Sequence, residues 1–228
     1  MDPAGRWLQE RLGCTIADPG LLARALTHRS AGPDNNERLE YLGDAVLSFV
    51  IAEMLFHQFP GASEGELSRY RASLVSGEAL AVLAAEIGLG DQLRLGDGEL
   101  KSGGQRRATI LADGLEAVFG AIYLDRGLEA ARAVADRLFR QLLATLPEAS
   151  ELKDPKTRLQ EWLQGRGFAL PAYTVLEVSG EPHEQRFRVR CDVPDLEMAA
   201  EADGSSRRRA EQDAAQRILD DPTLQERR

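Results

Sequence analysis

Apolar residues recur at positions three and four apart over most of the first 146 residues, in "DPGLLARALTHRS", "GELSRYRASLVSGEALAVLAAEIGLG" and "ADGLEAVFGAIYLDRGLEAARAVADRLFRQLLATL". The spacing predicts an all-α region, broken at Gly32-Pro33, Pro60-Gly61, Gly88 to Gly90 and Gly103-Gly104. After "PEASELKDP" the period changes. "PKTRLQEWLQGRG" reads as a helix, "AYTVLEVSG" and "EQRFRVRCDV" alternate as strands, "LEMAAEADG" supplies a third strand, and "SSRRRAEQDAAQRIL" a closing helix. The expected organisation is a helical domain over 1–147, a linker over 148–153, an α-β-β-β-α domain over 154–224 and a tail over 225–228.

One segment strains against this patterning. "NNERLEYLGDAV" sets Glu37, Glu40 and Asp44 within about 60° of one another on a helix that then runs apolar through "LSFVIAEMLF". With Leu39, Leu42, Val46, Phe49 and Val50, and with Leu47, Ile51, Leu55 and Phe56 beside them, the helix reads as buried. Carboxylates losing hydration together need arginines, protonation or a hard divalent cation. Downstream, "RRATILADGLEAVFGAIYL" carries Asp113 and Glu116, a second acidic pair on another apolar helix. Two such pairs can converge into the oxygen-rich setting that suits Mg²⁺ or Mn²⁺. Equally, Arg38, Arg71, Lys101, Arg106 and Arg107 could pair with these acids in structural salt bridges. Along the axis Glu40 and Asp44 are about 6 Å apart, against about 10 Å for Glu37 and Asp44. Glu37 is therefore placed outside the ion's direct contacts or facing a nucleic acid, and Glu64 in "ASEGELSR" at a helix start, where a carboxylate complements the dipole.

Composition narrows the class. The 228 residues are 43% apolar, enough for a real core, and the net charge of -9 argues mildly against a polyanion partner when taken alone. Only two cysteines occur, Cys14 and Cys191, outside any CxxC spacing, so neither a disulfide framework nor a zinc site is expected, and a reducing cytosol fits. The start "MDPAGRWLQERLG" is charged, and no apolar run approaches the ~20 residues that span a bilayer. A cytoplasmic location, with no membrane contact and no organic cofactor, is the expectation.

Together "NERLEYLGDAVL", "ELKSGGQRRATILADGLEAVFGAIYLD" and "KDPKTRLQEWLQGRG", in this order, closely resemble bacterial ribonuclease III over nearly the whole chain. The resemblance implies an all-helical endonuclease domain working as a homodimer, followed by a double-stranded RNA-binding domain. It matches Glu40, Asp44, Asp113 and Glu116 to the family's divalent-metal carboxylates, with Asp44 and Glu116 the catalytic expectations. It implies Mg²⁺-assisted hydrolysis of double-stranded RNA to 5′-phosphate and 3′-hydroxyl ends, and processing of ribosomal precursors and structured transcripts. It also favours a role toward phosphate or RNA for Lys101 in "ELKSGGQRR". Tyr41, Ala45 and Ala108-Thr109 depart from the family's usual Phe, Ser and Glu-Ser, without loss of a metal ligand. His28 and His57 are expected to be structural.

In the second domain Thr157, Gln160, Glu161 and Gln164 form one polar helical stripe, suited to the 2′-hydroxyls of a minor groove. His183 in the loop "GEPHEQ" can make a second such contact. Arg207, Arg208 and Arg209 open the closing helix, where backbone N–H groups and the dipole already favour phosphate. From Glu151 onward 13 basic residues face 16 acidic ones, so binding must rest on this local patch rather than on net charge.

Overall fold

The computed structural model describes residues 2–149, 152–181 and 184–225, and the chain divides into two compact units, Met1–Pro147 and Glu148–Arg228.

The first unit is built from α1 (Pro3–Leu12), α2 (Pro19–Ala25), α3 (Glu37–Gln58), α4 (Glu64–Leu74), α5 (Gly77–Glu86), α6 (Asp97–Lys101) and α7 (Ala108–Ala144). Several starts are written in the local sequence. Asp2 and Asp18 precede a proline at the first helical position and accept backbone N–H groups of the first turn, and Ser63 closes a capping box with Glu66. Within α7, Gly127 takes φ 79° and ψ −178°, a conformation open essentially to glycine, and divides the segment at a kink.

The core forms where α3 crosses α7. Leu47, Val50, Ile51 and Leu55 are fully buried, as are Leu115, Val118, Phe119 and Ile122. Each such side chain contributes about 1.5–3 kcal/mol relative to exposure. Two glycines permit the approach: a Cβ on Gly43 would lie 1.7 Å from the Glu116 carbonyl oxygen, and one on Gly120 would lie 2.3 Å from that of Leu39. The helices meet through backbone, which brings the acidic turns of both to the same place.

The expectation that α3 is buried throughout needs correction. Tyr41 is 83% exposed, Phe49 52% and Phe56 65%. Leu39, Val46 and Val50 lie within about 40° of one another and point into the unit, whereas Phe49 and Phe56 lie about 80–100° away from Leu39. Apolar character alone did not tell the two faces apart.

In the second unit the order is α8 (Pro155–Gln164), β1 (Ala172–Ser179), β2 (Arg186–Val193), β3 (Met198–Gly204), α9 (Arg207–Leu219) and α10 (Pro222–Gln225). The strands form an antiparallel sheet in the order β1-β2-β3, with Tyr173 opposite Cys191 and Val189 opposite Ala202. Cys191, Val193 and Ala202 face a core completed by Leu159 and Leu163 of α8 and by Ala214, Ala215 and Ile218 of α9. The charged residues alternate with them as the pleat requires. Arg188 pairs with Glu177 and Asp203, and Arg190 with Asp192 and Glu201, so these arginines are matched by acids of the sheet itself.

Candidate functional site

The α3–α7 crossing brings Glu40, Asp113 and Glu116 together: one carboxylate oxygen from each lies within 4.8 Å of the others. All three are half-buried, and among the described residues none forms an ion pair. Of the cations expected to neutralise them, Arg107 binds Glu99 instead, at 2.6 Å. Burial, followed by the charges of Asp113, Glu37 and Asp44, raises the Glu40 carboxyl against the opposing Arg29. Burial likewise raises Asp113, with His28 and Arg29 opposing. Glu116 is pushed up to about 7, first by burial and then by Asp44, Asp113 and Glu40. Half-buried, mutually repelling oxygens that form no ion pair among the described residues are the donor set that a hard divalent cation fits.

Asp44, one turn beyond Glu40, is exposed and stands outside the three-residue cluster, yet its charge is the second-largest influence on Glu116. Glu37 is exposed on the wall of a cavity of about 590 Å³ that opens on Glu40 and Asp113, and faces Arg29 at 3.7 Å. Glu64 opens α4 and accepts a hydrogen bond from Ser68 Oγ at 2.8 Å, outside the cluster. Lys101 is exposed at the last position of α6, where a cation complements the helix dipole.

The same cavity is lined by His28, Arg29 and Arg107, which the sequence did not single out as site residues. His28 precedes the short 3-10 turn Arg29–Ala31, and its backbone N–H bonds to the Arg94 carbonyl at 3.0 Å. Residue spacing gave no sign of this, because the ladder holding it joins segments more than sixty residues apart in sequence.

In the second unit Gln160 and Gln164 are exposed. Thr157 is half-buried and spends its hydroxyl on Asp154 at 2.8 Å, while Glu161 is held by Lys153. His183 lies outside the described residues. Ser206 caps α9 by accepting the Arg209 N–H at 3.2 Å. Arg207 leans back to Glu211 at 2.8 Å and Arg209 to Asp213 at 3.1 Å, which leaves Arg208 as the member of the trio without an ion pair among the described residues. Glu211, 7% exposed, is also bound by Lys156 at 2.5 Å, so one carboxylate ties the starts of α8 and α9 together. Its burial favours protonation, but the hydrogen bonds from Lys156 and Arg207 outweigh that and hold it below the usual carboxylate range.

Residues 18–142 match the Ribonuclease-III-like family, and residues 155–221 match the double-stranded RNA binding motif. A ribonuclease 3 from Alkalilimnicola ehrlichii is 56% identical over 212 residues, covering 93% of both chains. One from Nitrosococcus oceani is 57% identical over 214 residues, covering 93% of this chain and 92% of that one. Among solved structures, the nuclease domain of ribonuclease III from Campylobacter jejuni aligns with a TM-score of 0.60 at 41% identity, over 64% of this chain and all of that one. A second structure of that domain, described for its flexibility in the region involved in dimer formation, aligns with a TM-score of 0.58 at 44% identity, over 59% of this chain and 95% of that one.

Proposed function

This chain belongs to the ribonuclease III family of double-stranded-RNA endoribonucleases, and from that premise we propose that Glu40, Asp113 and Glu116, with Asp44 beside them, hold Mg²⁺, or Mn²⁺ in its place, for cleavage of the RNA backbone. The observation that carries this reading is the convergence of three unpaired carboxylates within 4.8 Å on two crossing helices. A divalent cation bound there supplies an activated water and neutralises charge on the phosphate. Glu40 and Asp113 present their oxygens to the cavity. Glu116 completes the donor set from α7, where its backbone lies against Gly43 of α3. Asp44 and Glu116 are the proposed catalytic pair. Glu37, Glu64 and Lys101 serve around this centre, toward the RNA rather than as ligands. Hydrolysis leaves 5′-phosphate and 3′-hydroxyl ends.

The domains run as 1–147 and 154–224, joined by 148–153. In the second, Thr157, Gln160, Glu161, Gln164 and His183 address the minor groove, and Arg207, Arg208 and Arg209 the phosphates. The enzyme works as a homodimer: Tyr41, Phe49 and Phe56 expose large apolar surface within about 80° on one side of α3, the kind of face that marks a protein contact. Processing of ribosomal precursors and structured transcripts in the cytoplasm follows from the family. No helix of the described residues is long and apolar enough to cross a membrane.

The test is incubation of the purified chain with long double-stranded RNA in Mg²⁺, in Ca²⁺ and in chelator, with the product ends mapped. Mg²⁺-dependent cutting to 5′-phosphate ends is expected. Binding without cutting in Mg²⁺ would instead mark a non-cleaving RNA-binding protein.

A further inference from the structure

The cavity above the acids carries a feature that the metal reading leaves unused. His28 Nδ1 accepts the backbone N–H of Ser30 at 3.2 Å and lies 2.8 Å from Ser30 Oγ. A backbone amide can only donate, so in the neutral ring Nδ1 is the acceptor and the single proton sits on Nε2. Ser30 Oγ in turn accepts the Gly96 N–H at 2.9 Å. The two segments are zipped by an isolated parallel bridge between Thr27 and Arg94, with His28 N–H on the Arg94 carbonyl and Arg94 N–H on that of Leu26. Their approach requires glycine: a Cβ on Gly96 would stand 2.2 Å from the Ser30 carbonyl oxygen.

The result is a ring clamped at one nitrogen, on the wall of the cavity that opens on Glu40 and Asp113. Among the described residues no carboxylate forms an ion pair with it, whereas its cationic neighbours Arg29 and Arg107 face Glu37 and Glu99. With its proton fixed on Nε2, the ring offers a donor to the cavity rather than a lone pair to a metal. A donor set back from an acidic floor suits an anionic oxygen bridging the two.

We propose that His28 is a substrate-positioning residue whose Nε2–H donates to a backbone phosphate oxygen of the RNA, with Ser30 and Gly96 holding the ring in that pose. The inference rests on the acid cluster being the cleavage centre. It adds a contact made by this chain itself, outside the carboxylates and outside the RNA-binding unit.

Two isosteres separate this role from a purely structural cap. Asn places a polar group near Nδ1 and can still accept the Ser30 N–H, but has nothing at Nε2. Gln carries an amide N–H near the position of Nε2. His28→Asn is expected to lower kcat between about ten- and hundredfold, the range for losing a hydrogen bond to a charged oxygen, with KM for long double-stranded RNA nearly unchanged. His28→Gln should recover most of that loss, and circular dichroism melts should show both variants folded. Independently of activity, long-range ¹⁵N–¹H spectra of the metal-free protein should show His28 as the Nε2–H tautomer, and Ser30→Ala should release it into a mixture. Wild-type rates in His28→Asn, or an Nδ1–H tautomer in the parent, overturn this inference alone. Absence of Mg²⁺-dependent cutting by the parent protein overturns the cleavage centre and this inference with it.

Discussion

Gly43 of α3 packs directly against the backbone of Glu116 in α7, so closely that a single added methyl would stand 1.7 Å from the Glu116 carbonyl oxygen. Neither helix can give way without moving its acids, because Glu40 lies one turn before Gly43 and Asp113 one turn before Glu116. Gly43→Ala is therefore expected to destabilise the first unit by about 1–3 kcal/mol, the usual cost of overpacking. It should also weaken Mn²⁺ binding, measured by paramagnetic resonance of free Mn²⁺. Gly120→Ala, facing the Leu39 carbonyl at 2.3 Å, should act in the same direction.

Crowding at Glu116 gives the metal-free protein a pH dependence of defined sign. Its folded-state carboxyl titrates at about 7, through burial and the neighbouring acids, whereas an unfolded glutamate titrates near about 4.3. The folded state holds this proton more tightly, so stability is fullest below the unfolded value and falls as pH rises through the window up to about 7. Thermal melts of the chelated protein across that window should show this decline. Glu116→Gln should flatten it and raise the melting temperature at neutral pH. The same variant is expected to retain RNA binding and lose cleavage.

The three arginines that open α9 differ in what already holds them. Arg207 and Arg209 are paired with Glu211 and Asp213, while Arg208 has no ion pair among the described residues. Arg208→Ala should therefore weaken double-stranded RNA binding more than either neighbour's substitution. Replacing all three should reduce the salt slope of log Kd, because fewer counterions are released. Titrations at several salt concentrations check both.

Glu211 links α8 to α9 through Lys156 and Arg207, nearly out of contact with water. Lys156→Met leaves that carboxylate with a single partner and is expected to cost about 1.5–3 kcal/mol in the second unit, the range for hydrogen bonds to charged groups. Because the folded-state carboxyl lies below its usual value, the stability it contributes is present above the unfolded value and is lost as pH falls through the folded one. The variant should narrow that acid-side loss in melts of the full chain.

Removal of the metal should separate the two activities. With chelator, cutting is expected to cease while RNA is still retained in gel-shift assays, since the arginines and glutamines of the second unit carry no metal requirement.

Much of this was legible in the chain itself. The change from helical spacing to alternation located the α-β-β-β-α unit, because a pleated strand with one covered face must alternate. The acids at 37, 40, 44, 113 and 116 stood out because charge is costly on an otherwise apolar helix, but spacing did not say which of them cluster, as 40, 113 and 116 do. Phe49 and Phe56 misled, since an apolar side chain left exposed and one bound for the core look alike in sequence. The arginine trio was visible as a basic run, but its division into two ion-paired residues and one without an ion pair among the described residues depends on acids a turn further along α9 taking particular rotamers.

The sequence by itself determined the elements, their order and the chemical types available, since these follow from local sterics, periodicity and the cost of burying charge. Only the tertiary structure decided which of those groups meet. Glu40 joins Asp113 and Glu116 because two glycines let distant helices touch, while Asp44 stands apart from that cluster. His28 turns from a loop histidine into an oriented donor because Ser30, itself bound by the N–H of Gly96 sixty-six residues away, closes on its ring. Convergence of this kind is a property of packing in three dimensions, which no local spacing encodes.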